Sequence, residues 1–228
     1  MIRHLLQLIW NQRKQNAWLW AELLLVSVFL WFLVDYLYVM GRTYTAPLGF
    51  DIRHTYSIVI SSLSERSPDY IPKEKRERPD GVHLLTALDR IRTYPGVESA
   101  CLTDGGMPYY MGSRNLVWRI DTLQVPCRYA FVTPEFFDVF RIYDKDGKTA
   151  SLKRAIEDNN SIVISADVET MNPGLSLLGQ KAYRGNVTDE IEETIRGISV
   201  PIRRHEYTKA EPNVYRALRL SRMEEGYY

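Results

Sequence analysis

The chain has 228 residues, of which 45% are hydrophobic and 25% are charged, with 29 basic and 28 acidic side chains. This composition is too apolar for a disordered protein, and a net charge of +1 is too small for electrostatic binding of nucleic acid. The average conceals a division at Arg42, because the residues after it carry 25 of the basic and 26 of the acidic groups. We therefore expect an apolar N-terminal segment followed by a domain of balanced charge that is long enough to bury a core.

Residues 1–16 are predicted to form a cytoplasmic amphipathic segment. Its apolar residues recur with helical spacing ahead of a polar break, NQRKQN; they are Ile2, Leu5, Leu6 and Ile9. Most of the basic residues near the following apolar run precede it, and only Arg42 follows it closely. The positive-inside rule then places the N-terminus in the cytoplasm and the residues after about 42 on the outer side of the membrane.

Residues 17–40 are predicted to form one transmembrane helix. They are apolar or aromatic except for Glu22, Ser27 and Asp35, and two tryptophans and two tyrosines mark the two ends. A helix of this length extends about 36 Å, whereas the hydrocarbon core is roughly 30 Å thick. A buried helix of a soluble protein fits less well because the middle of the segment is apolar on all sides. A cleaved signal peptide also fits less well, because no small-residue cleavage site follows.

Two acidic residues, Glu22 and Asp35, lie inside this segment, about 20 Å apart along a helix axis. Ionised groups at such depths are costly unless they reach the interface or contact another helix. Two interpretations stay open: both carboxyl groups lie at the interfaces, or Glu22 contacts a second transmembrane helix. The two side chains would point about 140° apart, so one neighbouring helix would not satisfy both.

Residues 41–54 are predicted to be a connector, and residues 55–228 a domain. The alternation in TYSIVISS predicts a half-buried strand at residues 55–62, followed by a charged loop with three prolines. Helical spacing from Val82 to Ile91 predicts a helix, and a strand is expected at residues 97–102.

The second half of the domain is predicted to alternate short strands with short helices. Further strands are expected at residues 114–121, 127–132, 161–165 and 194–202, and helices at residues 135–140, 152–156 and 166–171. Thr133 stands at an N-cap position, ahead of a proline suited to the first helical turn. The predicted fold class is an α+β, or mixed α/β, extracytoplasmic domain preceded by one N-terminal transmembrane helix.

Motifs for catalysis, cofactor binding or metal binding are not found in the sequence. It has no phosphate-binding loop of the GxxxxGK[ST] type and no GxSxG nucleophile motif, and its four histidines are scattered. We therefore predict no catalytic, cofactor-binding or metal-ligating residues, and an enzyme is not expected. Cys101 and Cys127 fall in predicted strands on the oxidising side of the membrane. A disulfide between them and two reduced, buried cysteines are both compatible with the sequence.

The order of these features resembles the FtsX-like permeases of ABC transporters, and in particular their MacB-like periplasmic core domain. The resemblance is carried by four segments, each weak alone but ordered along nearly the whole chain. They are PGVES at residues 95–99, VTPEFFDVF at 132–140, VIS at 163–165 and GQK at 179–181.

This resemblance implies a mechanical role in a bacterial inner membrane, with the domain in the periplasm and no catalysis of its own. ATP would be bound by a separate cytoplasmic ABC ATPase. The implied partners are the lipid bilayer, further permease helices and a second permease, without nucleic acid. Family members continue into three more transmembrane helices, whereas this sequence has no second apolar run of that length. A truncated, split or stand-alone permease component is therefore expected. The alternative is a single-pass, membrane-anchored module that binds a ligand or protein for sensing.

Overall fold

The computed structural model describes residues 17–60, 63–72, 75–76, 78–110, 112, 114–184 and 191–219, together with Arg3, Gln7, Trp10 and Lys14. The chain divides into two compact units, Met1–Ala46 and Pro47–Tyr228. The predicted apolar face of residues 1–16 lies outside the described residues.

The first unit is built around helix α1, Ala17–Thr45. The helix forms because its residues are mostly leucine and aromatic residues, and no proline interrupts it. It begins at the predicted residue and ends five residues beyond the predicted end, where the Thr45 hydroxyl donates to the Gly41 carbonyl at 3.0 Å. None of its residues is buried, whereas a core helix of a soluble protein would be. It is one helix of sufficient length and apolarity to cross a membrane.

The second unit contains four helices and seven strands among its described residues. The helices are α2 (Asp80–Arg92), α3 (Phe136–Val139), α4 (Ala150–Glu157) and α5 (Asp167–Met171). The strands are β1 (Thr103–Asp104), β2 (Asn115–Ile120), β3 (Leu123–Val132), β4 (Ser161–Ser165), β5 (Lys181–Arg184), β6 (Ile191–Ser199) and β7 (Asn213–Ala217).

Six of these strands close into a ring, called the strand ring below. The order is β1-β3-β2-β5-β6-β4-β7, and β7 pairs again with β3. Strand β3 closes the ring because it is ten residues long: its first half pairs with β2 and its second half with β7. Successive amides point to opposite edges, with Arg128 N donating to Pro212 O and Tyr129 N to Arg114 O, both at 2.9 Å. Closure satisfies strand edges that would otherwise be exposed.

Two hydrophobic clusters lie on opposite faces of the ring. The inner cluster receives a buried side chain from every ring strand, including Trp118, Val125, Ile164, Ala182, Ile195 and Val214. The outer cluster packs α3 and α4 against β3, β4 and β7; it includes Val132, Phe136, Phe137, Leu152, Ile156, Val163 and Tyr215. Alternation along β4 explains the division, since Ile162 and Ile164 point inward and Val163 points outward. The predicted α+β class is confirmed.

Two predicted strands are not strands in the structure. Residues 55–60 and 97–102 have no strand pairing, and Tyr56 and Val59 are each 86% exposed. An alternating pattern forms a strand only where a neighbouring strand accepts its backbone hydrogen bonds. Residues 55–60 have no such neighbour among the described strands, and in the second segment only Leu102, next to β1, bonds to the end of β3, through Thr133.

The predicted N-cap at Thr133 also differs from the structure. The helix after it begins at Phe136, with Glu135 as its N-cap residue and no side-chain capping bond. The Thr133 hydroxyl instead accepts a hydrogen bond from Leu102 N at 3.1 Å. A contact distant in sequence therefore replaces the local cap.

Candidate functional site

The candidate site is the segment that follows α1 in the chain, residues 47–55, called the connector below. It lies in the second unit and is hydrogen-bonded along its length to the loops around the outer cluster. Arg203 N donates to Leu48 O and Asp51 N donates to Phe140 O, both at 2.9 Å. The predicted connector included residues 41–45, but these belong to α1. The connector is thus part of the folded domain, not a free linker.

At Gly49 the connector lies against the backbone of Pro201. The φ of Gly49 is +84°, and a Cβ atom built on it would lie 2.1 Å from the carbonyl oxygen of Pro201. A backbone oxygen cannot move aside as a flexible side-chain end can. The position therefore requires glycine for two reasons, conformation and space.

Phe50 anchors the middle of the connector. Its ring packs against the outer cluster and meets the Tyr109 ring edge-on, with centroids 5.7 Å apart. Aromatic pairs of this geometry stabilise beyond the apolar area that they bury. The connector is therefore held by a side chain as well as by its backbone.

An exposed ion-pair group follows the anchor. Asp51 accepts hydrogen bonds from the Arg53 side chain and also pairs with Arg141 at 3.3 Å. The bond from Arg53 is the main reason that the pKa of Asp51 lies well below its usual value. Because these groups are in water, they contribute orientation and little stability. Arg141 in turn donates to Arg53 O at 3.2 Å.

A buried ion pair lies inside the strand ring. Glu193 is 2% exposed and accepts from Arg216 Nε at 2.8 Å, while Arg184 Nε lies 3.5 Å from its other oxygen. The Arg216 guanidinium also lies over the Phe131 ring, 5.0 Å from its centroid. Burial lowers the pKa of Arg184, and the charge of Arg216 lowers it further. We interpret the pair as structural. Removing either charge would leave the other buried without its partner.

The residues singled out from the sequence do not belong to the connector. Glu22 and Asp35 are on α1, where both are exposed, and their contact with another helix stays a prediction. Cys101 and Cys127 are free thiols. Cys127 belongs to the inner cluster and Cys101 packs against the outer one. Whether the two cysteines form a disulfide in the protein stays a prediction.

The two thiols are expected to resist alkylation in the folded protein. Burial raises the pKa of each to about 12, so at pH 8 the reactive thiolate should be about a thousandfold scarcer than in an unfolded chain. Maleimide labelling followed by mass spectrometry would check this, with Ser64→Cys as an exposed control. Labelling of both cysteines after unfolding without reductant is expected. A chain that labels only after reduction would contain the disulfide instead.

Sequence reasoning did not identify the residues that hold the connector or the buried pair. Gly49 is visible in the sequence as a glycine after Leu48. The residue that it contacts, Pro201, is about 150 residues away, so the sequence does not reveal the contact. Glu193 and Arg216 occupy inward positions of strands, and charged residues at such positions are the signal that could have found them. Within the described part of the chain, no group of three or more His, Cys, Asp or Glu residues could hold a metal ion.

Comparison with protein families finds no matching family model, and comparison with curated proteins finds no match. Solved structures do match. One is a domain of a protein classed as a permease from Porphyromonas gingivalis, at 20% identity and a TM-score of 0.43, covering 57% of this chain and 54% of that one. A second is the periplasmic region of MacB from Actinobacillus actinomycetemcomitans, at 10% identity and a TM-score of 0.39, covering 58% of this chain and 54% of that one.

A third match is the extracellular domain of the noncanonic ABC-type transporter YknZ from Gram-positive bacteria. It has 13% identity and a TM-score of 0.42, and the match covers 62% of this chain and 65% of that one. The chain therefore spans between about half and two thirds of the structures it matches. The three matched structures are thus a domain of a permease, the periplasmic region of MacB and the extracellular domain of an ABC-type transporter.

Proposed function

We propose that this chain is a membrane-anchored component of an ABC transporter permease of the MacB/FtsX type, whose extracytoplasmic domain receives motion through α1. The observation that carries the proposal is the docked connector. In the sequence, only Ala46 and Pro47 separate the end of α1 from Leu48, the first connector residue hydrogen-bonded to the domain. A long flexible linker would absorb a movement of the helix, whereas a connector held in this way passes it on.

The connector contacts determine where such a movement would enter the domain. The Leu48 bond reaches the loop after β6, and the Asp51 bond reaches the end of α3. Gly49 lies against Pro201 in that same loop, and Phe50 packs on the outer cluster. A displacement of the connector would therefore act on the outer cluster and on the ring strands that support it.

The rest of the transporter is supplied by other helices and chains in this proposal. ATP is bound and hydrolysed by a separate cytoplasmic ABC ATPase, further permease helices surround α1, and two permeases pair. The N-terminus is cytoplasmic and the domain is periplasmic, in a bacterial inner membrane. The domain binds and moves, and it catalyses no reaction.

An insertion in the chain before the connector is expected to uncouple the domain from the ATPase. The tagged full chain, cross-linked in its native membrane, should co-purify with an ABC ATPase. In that complex, ATP with vanadate should change hydrogen–deuterium exchange of residues 47–55. A flexible insertion of about eight Gly and Ser residues between Ala46 and Pro47 should remove the change, because such a linker adapts its length without force.

The matched control is the same insertion after Gly174, which lies in an exposed turn and should leave the nucleotide-dependent change intact. A complex without an ABC ATPase would contradict the proposal. So would connector exchange that is the same with and without nucleotide.

A further inference from the structure

An open cleft lies in the second unit at the C-terminal half of the connector, and it is called the basic cleft below. It is lined by Asp51, Arg53, His54, Arg141 and Tyr143 and has a volume of about 550 Å³. This volume accommodates a phosphate group together with the groups esterified to it. Transmission of motion through the connector, as proposed above, does not use the cleft.

The basic cleft carries more positive charge than its own carboxylate neutralises. Arg53 donates to Asp51 through Nε at 2.9 Å and Nη2 at 2.7 Å, and Arg141 Nη1 lies 3.3 Å from the same carboxylate. Two guanidinium groups therefore share one acid. Within the described part of the chain, neither arginine forms an ion pair with a second acid. The charge of the cleft thus favours an anion.

The two arginines also keep hydrogen-bond donors for a further acceptor. Arg141 contacts Asp51 and Arg53 O through Nη1 alone. Its Nε and Nη2, and Nη1 of Arg53, make no bond to a residue that the structure describes. Tyr143, 40% exposed, adds a hydroxyl to the lining. Guanidinium groups bind phosphate through paired N–H bonds, so these donors suit a phosphate.

Two of the lining residues have a backbone conformation that is unfavourable for them. The φ angle is +61° at His54 and +50° at Arg141, in the left-handed region that favours glycine. Non-glycine residues with such angles are uncommon and concentrate at functional sites. The strain at both positions therefore supports a function for the cleft.

Residues 56–60, which follow the basic cleft in the chain, expose their apolar side chains. Tyr56 and Val59 are each 86% exposed, and Ile58 and Ile60 are more than half exposed. The sequence has no charged residue between His54 and Glu65. A continuous exposed apolar segment marks a surface that contacts another protein or a membrane.

A membrane surface matches both the charge of the cleft and the apolarity of residues 56–60. Phospholipid phosphates lie directly outside the apolar layer, and interfacial protein surfaces combine cationic side chains with aromatic and aliphatic ones. Basic residues near an anionic membrane surface each add to binding. Arg53 follows Thr45, the last residue of α1, by only eight residues in the sequence. A chain anchored by α1 therefore brings this surface to a bilayer.

We propose that the second unit docks on the bilayer surface, with the phosphate of an anionic phospholipid in the basic cleft and residues 56–60 in the interfacial layer. The proposal requires that α1 anchors the chain, but it does not rest on the transporter assignment. Because Asp51 and Arg53 belong to the connector, the docked lipid contacts the segment that follows α1 in the chain.

A fluorophore on residue 59 would report docking in the full chain. Val59→Cys is labelled with a nitrobenzoxadiazole probe and placed in nanodiscs that contain a spin-labelled quencher lipid. The ratio of docked to undocked probe should be about fivefold higher with about 30% phosphatidylglycerol than with phosphatidylcholine alone. Leu178→Cys is the matched control, since Leu178 is also exposed but lies outside the basic cleft. Its probe should respond equally to both lipids.

Removing one cation from the cleft should weaken docking without unfolding the domain. Arg53→Gln in the labelled chain is expected to lower the ratio about fivefold in phosphatidylglycerol, and the variant should stay folded because Arg53 is 83% exposed. Arg154→Gln is the matched control. Arg154 lies on α4, with its Nε on Ala150 O, and its loss should leave the ratio unchanged.

Inorganic phosphate separates a lipid headgroup from a free ion as the source of the phosphate. At about 10 mM it should quench no differently from sodium chloride of equal ionic strength, because a free ion gains nothing from residues 56–60. Specific reversal of docking by phosphate would overturn the proposal. So would an unquenched probe at residue 59, equal quenching in both lipids, an equal lipid response at residue 178, or unchanged docking of a folded Arg53→Gln variant.

Discussion

Replacing Arg216 with methionine is expected to destabilise the domain by about 4 kcal/mol, because the substitution leaves the Glu193 carboxylate buried without its main partner. Glu193 is 2% exposed, and its remaining cation, Arg184, is 3.5 Å away. Methionine replaces the aliphatic stem of arginine but not the guanidinium that lies over Phe131. The double variant described next separates the loss due to the unpaired charge from the loss of this packing.

Thermal unfolding of the full chain in detergent, followed by near-ultraviolet circular dichroism, would measure this loss. A melting temperature lower by roughly 8–16 °C is expected for a domain of this size. The matched control is the double variant Glu193→Leu with Arg216→Met, which removes both charges. It should recover at least about 2 kcal/mol of the loss, because a buried pair replaced by apolar groups is often neutral for stability. A double variant no more stable than Arg216→Met would show that the pair is not coupled.

The second large effect is expected from Gly49→Ala, which should lower the free energy of unfolding by about 3 kcal/mol or detach the connector from the domain. The added Cβ would lie 2.1 Å from Pro201 O, so one of the two backbones must move. If the connector detaches, exchange of the Asp51 amide, which is bonded to Phe140 O, should increase markedly. Either result would be seen by thermal unfolding combined with hydrogen–deuterium exchange.

Gly179→Ala separates the steric part of this effect from the conformational part. Gly179 has a φ of +83°, almost that of Gly49, yet a Cβ at this position would meet no atom within 4 Å. It should therefore lose only about 1 kcal/mol, the conformational contribution. Equal losses for the two variants would mean that the contact with Pro201 is not the constraint, and the connector would then be less firmly held than proposed.

Substitutions at the buried ion pair and at Gly49 test the proposed mechanical role in different ways. The buried pair stabilises the ring, and its loss should affect all assays through unfolding. Gly49 lies in the connector, so a folded Gly49→Ala variant would test coupling more directly. A variant that stays folded but loses the nucleotide-dependent change in connector exchange would support transmission through this segment.

The sequence by itself determined the apolar helix and several of the ring strands. The run from residue 17 to 40 specifies a helix of membrane-spanning length because its composition and length are local properties. Strand β4, predicted at residues 161–165, has the same bounds in the structure, since its apolar run lies next to clear breaks. The α+β class followed from the same periodic patterns.

Only the tertiary structure decided which of these patterns became strands and how they were joined. Residues 55–60 alternate as a strand does but remain unpaired, while β3 became long enough to pair with both β2 and β7. Two contacts join positions far apart in sequence: that of Gly49 with Pro201 and that of Glu193 with Arg216. Periodicity reports which face of an element is apolar, but a hydrogen bond or ion pair depends on the partner that folding brings beside it.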